Sequence, residues 1–329
     1  MPLVALLGCL VMVGCGELTP TSSAVPGSPP AGSSPGAAPV LPTPSATPPT
    51  CRLPIASGDA PVDGRAADGV TGHGGFLDLP AATFSGDAAS LGSYDRAVSH
   101  WLPVFRAWVL PDGSHYAWGD PSAPVIHVVD TTTGTDRPLA VPSVSAVVSF
   151  DPEGLYVTTV VPGSGAPPRG LSLLNPATGA SRQITADGRW VVVGNGFAFG
   201  QDLDTSAAAP PGGGPAAANR VRRLDLRTGA VTTLATYSGA SVQVLAVYGS
   251  EPVVAVTAGA IYTVFLGTGT TVFTGPTADA DPGVPAVVDG ATVWFSSQNA
   301  AVWRWTGSGR ASRVADVPLR GLQVAGACR

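Results

Sequence analysis

The sequence predicts an all-β fold built from repeated four-stranded units, and three observations predict it. A phrase recurs, as DTTTG at Asp130 to Gly134, NPATG at Asn175 to Gly179 and DLRTG at Asp225 to Gly229. A second glycine turn precedes it each time, and apolar, β-branched runs of strand length lie between the two. A period of about 40 to 50 residues made only of strands and turns is the pattern of a β-propeller.

The early glycine turns are PDG at Pro111 to Gly113, DPEG at Asp151 to Gly154, GNG at Gly194 to Gly196, YG at Tyr248 to Gly249 and DG at Asp289 to Gly290. Runs such as VSAVVSF and LYVTTVV, or VQVLAV and PVVAV, flank them and read as hairpins. The TG phrase marks a second hairpin, as in LSLLNPATGASRQI and VRRLDLRTGAVTTLA. Two hairpins per period make a four-stranded blade. Five full blades start near Phe105, Ser143, Arg189, Ser241 and Gly283. The tail GLQVAGACR has the position of an innermost strand. The segments CRLPIASG, HGGFLDLPAATF and YDRAVSHWLPV supply about three more. One strand plus three completes a sixth blade and closes the ring by pairing the chain ends, which removes exposed sheet edges. Seven blades result instead if Gly58 to His100 form a blade of their own.

Cys51 and Cys328 bracket the globular region 51–329, whereas Cys9 and Cys15 lie in the N-terminal apolar stretch. Either the bracketing pair forms a disulfide that staples the first blade, or both remain buried thiols. A bond closing so long a loop would constrain the unfolded chain by about 5 kcal/mol. An exported compartment favours the disulfide.

The apolar stretch Leu3 to Val13 is too short to span a bilayer. It ends in Met12, Val13, Gly14 and Cys15, which resembles the lipobox of bacterial lipoproteins. That resemblance implies a signal peptide over 1–14, cleavage after Gly14 and a diacylglyceryl group on the Cys15 thiol. Two or three acyl chains anchor stably where one does not. The alternative is a signal peptide without lipid. Residues 15–50 then form a tether of Pro, Ser, Ala, Thr and Gly that cannot bury enough apolar surface to order. In polyproline form, at about 3.1 Å per residue, it would reach roughly 100 Å. The expected location is the extracytoplasmic side of the cell membrane. A similar insert, Ser206 to Asn219, reads as a loop between strands of the fourth blade.

Composition narrows the function classes. All 17 basic side chains are arginine and the net charge is −5. Nucleic-acid binding asks for a basic patch, and only Arg220, Arg222, Arg223 and Arg227 cluster; alternation along a strand makes them a solvated blade edge. His73, His100, His115 and His127 lack metal-ligand spacing, so neither metal nor cofactor is expected. GSGAP at Gly163 to Pro167 and GTGTT at Gly267 to Thr271 lack the strand-to-helix context of a phosphate cradle. No nucleophile elbow is present, and no catalytic residue is assigned.

Arg106, Arg189 and Arg320 each precede an innermost strand, with Asp187, Asp279 and Asp281 in nearby loops. Converging from separate blades, the arginines would receive a carboxylate or phosphate, since the guanidinium fork suits bidentate acceptors. The competing reading pairs them with those aspartates. Trp108, Tyr116 and Trp118 surround the PDG turn, where blade packing competes with a carbohydrate platform.

The stretch WVLPDGSHYAWGDPSAPVIHVVDTTTGTDRPL resembles a repeat of the TolB-type and WD-like bacterial propellers. The resemblance implies a six-bladed ring used for protein contacts and brings no catalytic residues. The expected function is a membrane-anchored module that binds a protein, an envelope component or a solute. A propeller hydrolase or lactonase with channel carboxylates is the alternative.

Overall fold

The computed structural model describes residues 49–57, 73–87, 92–163, 167–203, 219–267, 269–276, 286–296, 301–317 and 322–329. The predicted leader, Cys15 and nearly all of the tether lie outside them, as do Arg320, Asp279, Asp281 and nearly all of the Ser206 to Asn219 insert.

The described residues form 25 strands. The first are β1 (Cys51–Ser57), β2 (His73–Leu79) and β3 (Thr83–Asp87), followed by a short ribbon, β4 (Ser93–Asp95) and β5 (His100–Leu102). A single 3-10 turn, Arg106–Trp108, leads to β6 (His115–Gly119), β7 (Val125–Asp130) and β8 (Asp136–Ala140). Next come β9 (Ser145–Asp151), β10 (Gly154–Thr159), β11 (Arg169–Leu174) and β12 (Ser181–Thr185). A further set is β13 (Trp190–Gly194), β14 (Phe197–Asp202), β15 (Arg220–Asp225) and β16 (Val231–Thr236). It is followed by β17 (Ser241–Tyr248), β18 (Glu251–Ala258), β19 (Ile261–Leu266) and β20 (Thr270–Pro276). The last are β21 (Val287–Asp289), β22 (Thr292–Ser296), β23 (Ala301–Trp305), β24 (Ser312–Asp316) and β25 (Gln323–Val324).

The fold is all-β. From β9 to β24 the strands form four antiparallel meanders of four strands each. β25 pairs with β1, placing Val324 beside Ile55, so the first sheet runs β25-β1-β2-β3 and joins the two ends of the chain. Cys51 and Cys328 form a disulfide at this junction, with Cα atoms 5.7 Å apart.

Two expectations change. The third N-terminal strand of the first sheet is β3, from Thr83, whereas YDRAVSHWLPV folds into the separate β4–β5 ribbon. The sheet that begins near Phe105 has only three strands, with one bridge from Val109 to Tyr116 in place of an innermost strand. The 3-10 turn at Arg106–Trp108 takes up that length.

The recurring phrase works through side-chain capping. Asp130 Oδ1 accepts the N–H groups of Thr132 and Thr133 at 2.9 and 2.7 Å. Asn175 and Asp225 do the same in their turns. This closes an Asx turn, and Gly134 follows at φ +69°, a conformation that a Cβ resists. The Thr131 hydroxyl donates to the carbonyls of Gly113 and Ser114, tying both hairpin turns together at one end of the sheet. Antiparallel pairing sends the other connections, such as 120–124 and 141–144, to the opposite end.

Each sheet packs on the next. Val147 and Phe150 meet Ile126 and Val128, Trp190 meets Tyr156, and Val242 meets Phe199. Phe273 lies 4.6 Å from Trp303 between the fifth and sixth sheets, and Trp294 packs against Leu53 and Leu77 of the first. The ribbon fills the remaining joint, with Tyr94 and Trp101 against Phe76 on one side and Leu102 against Val109 on the other. Sheets covered on both faces explain why the strands read as continuous apolar runs rather than strict alternation.

Candidate functional site

A cavity of about 720 Å³ is bordered by the innermost strands of five sheets and by the 3-10 turn at Arg106–Trp108. Ala146 of β9, Val192 of β13, Val244 of β17, Val287 of β21 and Val324 of β25 each contribute one wall, and Arg106 contributes the sixth. The volume lies in the range that holds small-molecule ligands. Half of the lining residues are Val or Ala, because inner strands lie close together and favour short side chains.

The polar groups on this wall are few. Gln243 and Gln323 present amides from β17 and β25, and Asn195 lies at the turn after β13. Gln201 has a structural task, its side-chain carbonyl accepting the Val244 N–H at 2.6 Å and joining the fourth sheet to the fifth. Among the described lining residues there is no carboxylate and no imidazole.

Arg106 and Arg189 both line this cavity, while Arg320, the third arginine of the predicted set, lies outside the described residues. Their surroundings differ. The Arg106 guanidinium lies 3.3 Å from Asp95 Oδ2, and the same nitrogen donates to the Val109 carbonyl at 3.2 Å. Asp95 is fully buried, and its other oxygen accepts the N–H of Ala97 at 2.7 Å. A buried carboxylate needs such compensation. The partner is therefore Asp95, on the ribbon, rather than one of the aspartates near the inner strands.

Arg189 is half-buried, and its side chain has no ion pair or hydrogen bond among the described residues. Its backbone is held firmly. The Arg189 carbonyl accepts the Gln201 N–H at 3.0 Å, and a Cβ on Gly200 would lie 2.2 Å from that oxygen. The adjoining Trp190 is buried and donates from its indole nitrogen to the Asp187 carbonyl at 3.0 Å.

The remaining sequence candidates have structural partners. Arg220 and Arg222 converge on Asp202 at 2.7 and 2.9 Å, and Arg223 lies over Phe197. Burial raises the Asp202 carboxyl, but the hydrogen bonds and charges of the two arginines outweigh it and hold the group below its ordinary value. The cluster is thus partly neutralised rather than simply solvated. Tyr116 and Trp118 pack with Leu102, Val104 and Val109, and burial pushes the Tyr116 hydroxyl upward. Trp118 also stacks on His127 with ring centres 4.0 Å apart, and His127 Nδ1 is 2.8 Å from Asp136. Blade packing thus accounts for these aromatics. Among the described residues no three His, Cys, Asp or Glu side chains group as metal ligands.

No family model and no curated protein matches the sequence. Among solved structures, the chain is similar to TolB from Acinetobacter baumannii, with 14% identity, a TM-score of 0.45, and coverage of 84% of this chain and 67% of that one. It is similar to U3-55K at 10% identity and a TM-score of 0.44, covering 75% and 76%. A third likeness is to Kluyveromyces lactis Hsv2p, at 10% identity and a TM-score of 0.37, covering 72% and 69%.

Proposed function

We propose that this chain is a lipid-anchored, extracytoplasmic propeller of six blades whose central cavity recognises a small polar solute. The observation that carries the reading is the cavity itself, bordered by the innermost strands of five sheets and by the 3-10 turn, and holding amides and arginines on a largely apolar wall. Such a wall is chemically equipped to hold a ligand, while general acid–base hydrolysis asks for carboxylates or imidazoles, which the described lining does not offer. Pairing of β25 with β1 and the packing of each sheet on the next support a closed six-bladed ring. The anchor rests on the residues around Cys15 and the Pro-rich segment after it.

Protein contact is a second reading, favoured by the surface connections such as 120–124, 141–144 and 237–240 at one end of the sheets, where loops are free to carry function.

Native mass spectrometry of the protein incubated with a polar extract below 1 kDa tests the solute reading. One stoichiometric adduct is expected in the wild type and none in Ala146→Trp, at equal thermal stability. An adduct surviving in that variant contradicts the cavity as its site, and no adduct in either protein contradicts solute binding. The anchor has a separate test, in which Cys15→Ser releases the protein from the membrane fraction.

A further inference from the structure

We propose that the solute recognised in the central cavity is a hydroxylated monocarboxylate, held by Arg189 through its guanidinium fork and oriented by Arg106. This rests on the solute-binding reading above.

The two arginines contribute different things. Arg106 is neutralised where it stands by Asp95, with one nitrogen committed to that carboxylate and to the Val109 carbonyl. The rest of its guanidinium has no protein partner among the described residues, so it offers directed donors at a fixed place on the wall. Arg189 carries the uncompensated charge. It is half-buried beside a rigid backbone, which Gly200 and Gln201 hold in place. A guanidinium partly removed from water and lacking an acceptor is relieved by a bound anion, and a charge-assisted pair is the strong way to supply one.

The charge count selects the anion. Two arginines and the Asp95 carboxylate leave a net single positive charge at the described cavity, which matches a monoanion better than a phosphate dianion. Arg189 immediately precedes β13 and Arg106 lies in the 3-10 turn that stands where the second sheet lacks an innermost strand, so the carboxylate sits toward the end of the cavity where β13 begins. Gln243 of β17 and Gln323 of β25 lie on two further walls, and each amide can both donate to and accept from a hydroxyl. Anion at one end and hydroxyls along the wall describe a sugar acid or a compound of that kind.

Titration calorimetry with D-glucuronate, D-glucose and inorganic phosphate tests this, because the two sugars differ at one carbon. Wild type is expected to bind glucuronate at least tenfold more tightly than glucose or phosphate. Arg189→Gln should lose about tenfold or more of the glucuronate affinity with glucose binding unchanged, and Arg189→Lys should fall between the two. Circular dichroism melting of each variant confirms that the fold is intact. Glucose bound as well as glucuronate overturns the carboxylate assignment but leaves solute binding standing. Preference for phosphate, glucuronate binding indifferent to Arg189→Gln, or no glucuronate binding by wild type also overturns it. In the last case the adduct seen in native mass spectrometry still decides the broader reading.

Discussion

Asp95 and Arg106 form an ion pair at 3.3 Å in which the two partners are unequally buried, the carboxylate side chain 1% exposed and the guanidinium 37%. The asymmetry has consequences for mutation. Removing Arg106 strands a buried carboxylate, whereas removing Asp95 leaves an arginine that still reaches water.

Arg106→Ala is therefore expected to destabilise the protein by roughly 2 to 3 kcal/mol, below the usual cost of breaking a fully buried pair because this one is partly exposed. Adding Asp95→Asn should restore most of that loss, since the amide oxygen still accepts the Ala97 N–H without carrying a charge. Denaturant unfolding of the two single variants and the double variant measures the coupling; additive losses would mean that the pair does not interact.

Asp151 and Glu153 predict a stability that depends on pH. Burial, and then the hydrogen bond and charge of Glu153, push the Asp151 carboxyl up from 3.8 to about 6. The folded state thus favours the protonated form, and that stabilisation is complete below 3.8 and is lost as pH rises through about 6. Asp151→Asn keeps the acceptor for the Glu153 and Gly154 N–H groups and removes the charge. The variant should melt at a higher temperature than wild type at pH 8, with the gap closing as pH falls from 6 toward 4. A gap that does not change with pH would contradict this assignment.

Asp202 titrates the other way. Its carboxyl is held below the ordinary 3.8 by Arg220 and Arg222, so its contribution is present above that value and is lost as pH falls through the lower folded value. Asp202→Asn should be less stable than wild type at pH 7, by about 1 kcal/mol for a partly exposed pair. The two proteins should converge in melting temperature below about pH 3.8, the ordinary value. Parallel curves down to pH 2 would show that the arginines do not hold this carboxylate.

What the sequence disclosed follows the range of the interactions involved. The DTTTG turn is legible because Asp130, Thr132, Thr133 and Gly134 make their bonds to one another within five residues. Register and hairpin order follow from such turns, and so does the placement of Arg189 at the start of β13. The pairing of Arg106 with Asp95 is not legible, because it depends on a ribbon that inserts between the first and second sheets. The same ribbon resembles a third strand in sequence, since Tyr94, Trp101 and Leu102 are as apolar as a blade strand, while the true third strand, TFSGD, is short and polar. Asp202 lies on the strand beside Arg220 and Arg222, yet the intervening insert separates them in sequence and hides the pairing. The cavity chemistry is distributed over five sheets and the 3-10 turn, and no local motif announces it.

Ring closure is the claim on which the cavity and its ligand depend, and it rests on very few backbone bonds. Ala325 donates to Pro54 and Arg329 to Arg52, at 2.9 and 3.1 Å, beside the Cys51–Cys328 disulfide. Hydrogen–deuterium exchange of the peptide covering 322–329, read by mass spectrometry on the oxidised protein, tests it most directly. Protection of the Ala325 and Arg329 amides comparable to that of β18 is the expected result, and exchange at the rate of an open chain would contradict the closed ring.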